Sequence, residues 1–324
     1  MSDRIRQPKD YTALCCALKY DMIDPAIPVL ETLPAHMASV GGDLQVRRAL
    51  PNRMRRMVGA WCFLDHYGPV SLAPDAAGMR VGPHPHMGLQ TVSWLFAGEV
   101  LHRDSLGSLQ SIRPGQLNLM TAGRGISHAE ETPKVHPADI HGLQFWIALP
   151  EKARNGEAAF DHHPILPDVA RDGFEATLIV GEGLGERSPG KVHSPLVGLD
   201  LSFTDVGRRR LPLDPAFEHA LIVIEGALSA ADASMIPGNL YYLGRGRESL
   251  DIGNQAPARA FLLGGAPFGE EVLLWWNFVG RSTEEMQAAR QEWEAQAARF
   301  GAVRGYDGPR LAAPELTTRL KTHR

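Results

Sequence analysis

Apolar and polar residues alternate in short runs along most of this chain. Between about residues 25 and 280, strand-forming runs recur at 91–96, 117–120, 143–149, 176–180, 196–203, 220–224 and 259–263, with glycine and proline between them. Side chains of a strand point alternately to two faces, so the pattern describes strands joined by tight turns, the cadence of a sandwich or barrel. A helical period is clear in one place. In STEEMQAARQEWEAQAARF (282–300), Met286, Ala289, Trp293, Ala297 and Phe300 recur on one face, Ser282 and Glu285 form a capping box, and Gly301 follows as a stop. The spacing predicts a helix over 282–300 packed on the β-structure.

A repeat underlies the strand pattern. IRPGQLNLMTAGRG (112–125) aligns with MIPGNLYYLGRGRE (235–248) at an offset of 123, matching Pro114, Gly115 and Leu117 to Pro237, Gly238 and Leu240. Upstream, FAGEV (96–100) resembles IEGAL (224–228). Two copies of one small barrel account for both the repeat and the length of 324 residues, which exceeds what single cores usually reach. At these offsets His128 and Glu130 fall near Asp251 and Gly253, and His84 and His86 fall on Pro212 and Asp214. A site built on those histidines is therefore expected once, in the first half.

Composition narrows the class. The 33 glycines and 24 prolines suit a turn-rich all-β protein, and a net charge of −4 gives no push toward nucleic acid or anionic membrane. Arg47, Arg48, Arg53, Arg55 and Arg56 form a basic cluster, read as a solvated strand and loop rather than a nucleic-acid face. Cys15, Cys16 and Cys62 make no disulfide framework, and MSDRIRQPKDYTALCCALKYD has no apolar core long enough for a signal peptide. The longest apolar run, VLLWWNFVG (272–280), is too short to span a bilayer. A cytoplasmic location is expected. No GxSxG, HExxH or phosphate-loop context is present.

Six of the 13 histidines lie between His84 and His141. Two pairs stand out, His84-x-His86 and His128-x-Glu130. Residues i and i+2 of a strand share a face, so each pair would aim two donors into one barrel, and paired strands lie close enough for both to close around one ion. Three imidazoles and a carboxylate suit a first-row ion, Fe(II), Mn, Co, Ni, Cu or Zn, and would leave positions open on an octahedral one. The same residues read equally as turn histidines around Pro85 and a solvated acidic pair at Glu130 and Glu131. If the metal reading holds, affinity is expected to fall below about pH 6.5, where free imidazoles protonate. His102 and Asp104 in HRDSLG are either substrate-contacting or ligand-supporting residues, or simply a turn. Gly123 and Gly125 are expected to form the turn that presents His128. Cys62 and His66 read as core residues.

HPHMGLQTVSWLFAG, HRDSLG, PGQLNLMTAGRGISHAE and HGLQFWIALP occur in that order between 84 and 150, followed by IVGEGLG, VHSPLVGLDLSF and GGAPFGEEVLLWWNFVGRSTEEM. Together they resemble the pirin family of the cupin superfamily. The resemblance implies a bicupin of two tandem double-stranded β-helix (jelly-roll) barrels with a C-terminal helix. Its parts would be an N-terminal extension at 1–25, a metal-bearing barrel at 26–155, a degenerate barrel at 156–268, and a strand, helix and tail at 269–324. It implies His84, His86, His128 and Glu130 as ligands, usually of iron. It further implies a dioxygenase acting with O2 on a flavonol such as quercetin or another small aromatic, with Glu130 as the candidate proton acceptor. A second implication is a metal-sensing regulator working through a protein partner. The chain departs from the common HPHRGFET pattern at Met87 and Gln90, and from GDxQWMTAG at Gln116, Asn118 and Leu119. Gln90 cannot serve as a base, but it could orient a ligand or a water.

Overall fold

The computed structural model describes residues 28–40, 44–73, 76, 78–171, 173–317 and 319–320. The expected N-terminal extension, with Cys15 and Cys16, lies outside the described residues. The first stretch of chain runs through β1 (Glu31–Pro34), β2 (His36–Ser39), β3 (Gln45–Leu50), β4 (Trp61–Ser71), β5 (Arg80–His86), β6 (Leu89–Ala97), β7 (Val100–Asp104), β8 (Leu109–Ile112), β9 (Leu117–Thr121), β10 (Ile126–Glu131) and β11 (Asp139–Ala148). After the short helix α1 (Glu151–Arg154) come β12 (Ala159–His163), β13 (Asp168–Arg171), β14 (Phe174–Gly183), β15 (Glu186–Arg187), β16 (Leu196–Phe203), β17 (Gly207–Pro212) and β18 (Glu218–Glu225). The rest is β19 (Leu228–Ala230), β20 (Ala233–Met235), β21 (Asn239–Gly244), β22 (Ser249–Asn254), β23 (Ala258–Gly265), the hairpin β24 (Leu273–Trp275) and β25 (Phe278–Gly280), and α2 (Thr283–Glu294).

Two barrels result, each from one large and one small antiparallel sheet. The first joins β12-β9-β6-β11-β4-β3-β2 with β5-β10-β7-β8; the second joins β1-β21-β18-β23-β16-β14-β13 with β17-β22-β19-β20. The strand orders correspond one to one, so the sequence repeat is a repeat of topology. Strand pairing crosses any single cut of the chain. β1 pairs with β21 of the second barrel, and β12 pairs with β9 of the first.

Strand alternation builds the cores. In β6, Val92 and Trp94 face the other barrel, where they join Phe145 and Ile147 of β11 against Ala220 and Ile222 of β18 and Phe261 of β23. The two large sheets thus pack face to face. Trp61 lies at this seam, fully buried, edge-on to Phe145 at 5.1 Å and donating Nε1–H to the Gly264 carbonyl at 3.0 Å. The seam is also tied by polar contacts. Trp94 Nε1 donates to Asp200 Oδ2 at 2.9 Å, and Arg259 grips the same carboxylate with two nitrogens.

Helix α2 ends at Glu294, six residues before the predicted end at residue 300. Gln296 takes φ 54°, and the amides of Ala295 and Gln296 close the last turn on the Gln291 and Trp293 carbonyls. Met286, Ala289 and Trp293 are buried as the period predicts, and Phe300 reaches the same cluster from beyond the helix. The Ser282 hydroxyl accepts the Glu285 N–H at 3.1 Å, but Glu285 takes the Arg281 amide rather than that of Ser282. Among the described residues no helix is long and apolar enough to cross a membrane. The basic cluster is not a free solvated face. Arg48 pairs with Asp65, Arg55 pairs with Glu31 above the Tyr242 ring, and Arg47 donates to the Gly68 carbonyl.

Candidate metal centre

The small sheet of the first barrel carries the chemistry. β5 and β10 are antiparallel neighbours with His84 opposite His128, and β10 pairs on its other side with β7, Glu130 opposite His102 and His128 opposite Asp104. The i, i+2 pairs on β5 and β10 therefore converge, as their spacing requires. Donor atoms of His84, His86 and His128 lie within 4.8 Å of one another. Glu130 forms an overlapping group with His128 and His102 at the same spacing. All five residues are buried.

Hydrogen bonds decide which nitrogen of each ring is left for a cation. His84 Nδ1 donates to the Gly82 carbonyl at 2.8 Å, and His86 Nδ1 donates to the Asn277 carbonyl at 3.0 Å. Both Nε2 lone pairs are thereby released inward. His128 is held by a relay. His102 Nε2 donates to Asp104 Oδ2 at 3.1 Å, so His102 Nδ1 is an acceptor, and His128 Nδ1 lies 3.4 Å from it. That leaves the His128 Nε2 lone pair facing His86 Nε2, 3.0 Å away. Two inward lone pairs at that distance repel unless a cation lies among them, so the donor set fits a divalent first-row ion.

Electrostatics agree. Burial pushes His84 down to about 4 and holds His86 and His128 well below the ordinary imidazole range, with neighbouring histidines adding to the effect. The rings are neutral at pH 7, the state a metal needs. The loss of affinity expected near pH 6.5 is accordingly displaced toward acid. Burial also raises the Glu130 carboxyl, against the opposing pull of His102 and Ser93.

His102 and Asp104 lie beside the histidine cluster and also shape a turn. Asp104 Oδ1 accepts the Leu106 and Ser108 amides, which makes the turn, while Oδ2 orients His102, whose ring stacks on Phe160 at 4.3 Å. Gln90 is a correction. It is buried, but it donates to Thr121 Oγ1 and the Lys191 carbonyl, away from the centre. On β6 the residues facing the centre are the odd ones: Ser93 reaches Glu130 Oε1 at 3.3 Å and Gln144 Oε1 at 2.9 Å. The expected turn before His128 is present. Gly123 has φ 51°, and a Cβ there would lie 2.2 Å from the Gly156 carbonyl oxygen. His66 is paired with His141, Nε2 to Nε2 at 2.8 Å, and Cys62 is a buried free thiol.

A pocket of about 160 Å³ opens beside the histidines. Its walls include Phe63, stacked on Trp146 at 4.0 Å, with Arg48 over Phe63 and the Arg48–Asp65 ion pair at the side. Tyr67 and Gln144 add polar atoms, and Trp276 and Leu311 close the rim. Trp276, at φ 51°, heads the turn of the β24–β25 hairpin, next to the carbonyl that orients His86. Nothing in the linear sequence groups these residues, since only folding brings 48, 63, 146 and 276 together. A bulky aromatic doublet at a turn was the one available signal.

Residues 43–147 match the pirin family, and residues 198–301 match the pirin C-terminal cupin domain. A Pseudomonas aeruginosa protein provisionally named a quercetin 2,3-dioxygenase is 48% identical over 90% of this chain and 92% of its own. The chain belongs to the pirin family. Human pirin is 31% identical over 73% of this chain and 84% of its own. A crystal structure described as quercetin 2,3-dioxygenase from Acinetobacter baumannii superposes with a TM-score of 0.88 at 44% identity, covering 90% of this pirin and 97% of that chain. The nickel(II) complex of a bacterial pirin from Escherichia coli shares the fold (TM-score 0.60, 17% identity, 74% of this chain and 100% of that one). The two-cupin, mainly β architecture expected of a pirin is the one observed.

Proposed function

We propose that this pirin is a metal-dependent dioxygenase of the quercetin 2,3-dioxygenase kind, with the ion held by His84, His86, His128 and Glu130. The observation that carries the reading is the set of three neutral imidazoles whose outer nitrogens are tied down and whose inner ones converge beside an aromatic pocket. Fe(II) is the first choice, with Mn, Co, Ni, Cu or Zn meeting the same donor chemistry. When bound, the ion supplies Lewis acidity and a redox partner for O2.

The chain's own residues do the rest. The Phe63–Trp146 stack gives an aromatic ring an apolar wall to pack on, and Trp276 lines the same pocket. Glu130 takes the proton from a substrate hydroxyl, its basicity increased by burial. Ser93 hydrogen-bonds that carboxylate, and Tyr67, kept protonated by burial and by Glu130, remains a hydroxyl donor. The free thiol of Cys62 supports the cytoplasmic setting that belongs to this reading.

The pocket's size bears on the substrate. About 160 Å³ is below the roughly 300–1,000 Å³ usual for drug-sized ligands, so a single-ring aromatic fits as it stands and a flavonol needs the Trp276–Leu311 rim to move. The same small volume favours, as a second reading, a metal-sensing regulator acting through a protein partner. Metal content after reconstitution tests the shared premise. Wild type should hold one ion per chain and His128→Ala should lose it; full occupancy in His128→Ala would contradict the ligand set.

A further inference from the structure

The C-terminal segment crosses the small sheet that carries the metal donors. Residues 301–317 form neither helix nor strand, yet they are tied down at successive points. Ser127 of β10 donates its hydroxyl to the Phe300 carbonyl at 2.8 Å, and Gly301 packs so closely on Ser105 that a Cβ there would lie 2.6 Å from the serine Cβ. The chain passes Arg103 of β7 at Gly305 and then reaches β5, the edge strand of the sheet. There Arg80 donates to the Asp307 carbonyl at 2.5 Å, with its guanidinium over the Tyr306 ring, and the Leu311 amide donates to the Pro83 carbonyl at 2.8 Å. Gly82 lacks a side chain for a reason. A Cβ on it would lie 2.5 Å from the Pro309 carbonyl oxygen, so the strap lies directly on the strand that presents His84.

The strap brings Leu311 to the metal pocket, where its half-buried side chain packs beside Val81. From there on it is anchored to α2. The Leu311 carbonyl accepts from Trp293 Nε1 at 2.8 Å, Arg310 lies over the Trp293 ring at 4.0 Å, and the Ala313 amide donates to Glu294 at 2.7 Å. Trp276, the other rim residue, is held differently. Its hairpin supplies the Asn277 carbonyl that orients His86, and the Val279 amide that bonds the Met87 carbonyl at 3.0 Å. Displacing that hairpin would free a metal-site histidine. Lifting the strap off β5 breaks the Arg80–Asp307 and Leu311–Pro83 hydrogen bonds and leaves His84 on the Gly82 carbonyl and His86 on the Asn277 carbonyl.

We propose that the strap at 305–311 is a lid that opens from β5 on its α2 anchor, and that Leu311 sets the size of the aromatic molecule that reaches the histidines. The proposal rests on the reading of that cluster as the reactive centre. Closed, the pocket of about 160 Å³ takes one ring; opened at Leu311, it takes a ring with an aryl or fused substituent. Irregular backbone held by isolated hydrogen bonds belongs to the part of a fold that opens at least cost. The two bonds to β5 are of that kind, and the ring-orienting bonds do not depend on them.

The test compares two alkylating reagents on the full metal-free chain at pH 7, iodoacetamide and 4-bromophenacyl bromide. In both, an imidazole nitrogen displaces halide from a carbon next to a carbonyl; the second reagent adds an aryl ring. Alkylation of His84, His86 and His128 is followed by mass spectrometry, with His66, buried outside the pocket, as the check that each variant is folded. Arg80→Met releases the strap without touching the pocket, and Glu131, which Arg80 faces at 3.9 Å, keeps Arg103. It should speed 4-bromophenacyl alkylation of the three histidines about fivefold, the opening gained by losing one hydrogen bond. Leu311→Ala should speed it at least as much, and neither variant should change the iodoacetamide rate. Unchanged rates in both variants would overturn the lid. So would equal acceleration of both reagents, the mark of a loosened sheet, or acceleration in Leu311→Ala alone, the mark of a fixed rim. Absence of alkylation by either reagent in every chain would overturn it too, because nothing then opens onto the histidines. No metal is involved, so these outcomes are separate from the occupancy test of the ligand set.

Discussion

His219 makes the acid response of the fold calculable. Its ring is buried in the second barrel and titrates at about 4, against about 6.5 in an unfolded chain. Desolvation is the main cause; Asp214 and the Phe217 carbonyl oppose it and lose. Because the folded value is depressed, the unfolded chain binds the extra proton between those two values. The stability from keeping this ring neutral is complete above pH 6.5 and is lost as pH falls toward 4. One proton is worth about 1.4 kcal/mol per pH unit, so His219 alone removes about 2 kcal/mol between pH 6.5 and 5. Urea unfolding of metal-free wild type and His219→Gln at pH 7, 6 and 5 isolates this, because the other histidines cancel in the comparison. The glutamine variant should lose about 2 kcal/mol less than wild type across that range. Parallel pH dependences would show that His219 is not buried neutral, and the reasoning would fail.

Three further outcomes are expected. His102→Phe keeps the stack on Phe160 but removes the acceptor for His128 Nδ1, so metal affinity should drop about 10- to 100-fold in a folded protein, read by competition with a chelator. Trp61→Ala should cost about 3–5 kcal/mol in chemical denaturation, because it empties the seam between the large sheets and removes the hydrogen bond to the Gly264 carbonyl. Free metal at about 100 times its Kd should stabilise wild type by about 2.7 kcal/mol, and calorimetric melting of His128→Ala should show none of that gain.

What the sequence displayed follows from the range of the interactions involved. Strands with period 2, the helix phase of Met286, Ala289 and Trp293, and the i, i+2 donors at 84/86 and 128/130 are local, and each lies where its spacing places it. Features set by pairing partners far along the chain were hidden. Gln90 faces the second barrel because its neighbours Thr91 and Ser93 face the centre, a phase that nothing in LQTVSWL declares by itself. β1 joins the second barrel although it precedes the first in sequence. The carbonyl that orients His86 comes from residue 277, and Arg48, grouped with a basic cluster, stands at the pocket wall against Phe63. The missing donors of the second barrel were legible as an absence of histidines at the positions matching 84, 86 and 128. The residues that replace them, Leu211 and Leu250 among them, became clear only from the strand register, which differs by one from the linear alignment.

Oxygen consumption by the Fe(II)-reconstituted protein tests the central claim most directly, with quercetin and a single-ring catechol as substrates and His84→Ala beside wild type. The account predicts uptake that needs substrate, iron and His84 together. Tight iron binding by wild type with no uptake for either substrate would contradict the oxygenase assignment and leave the metal-sensing regulator.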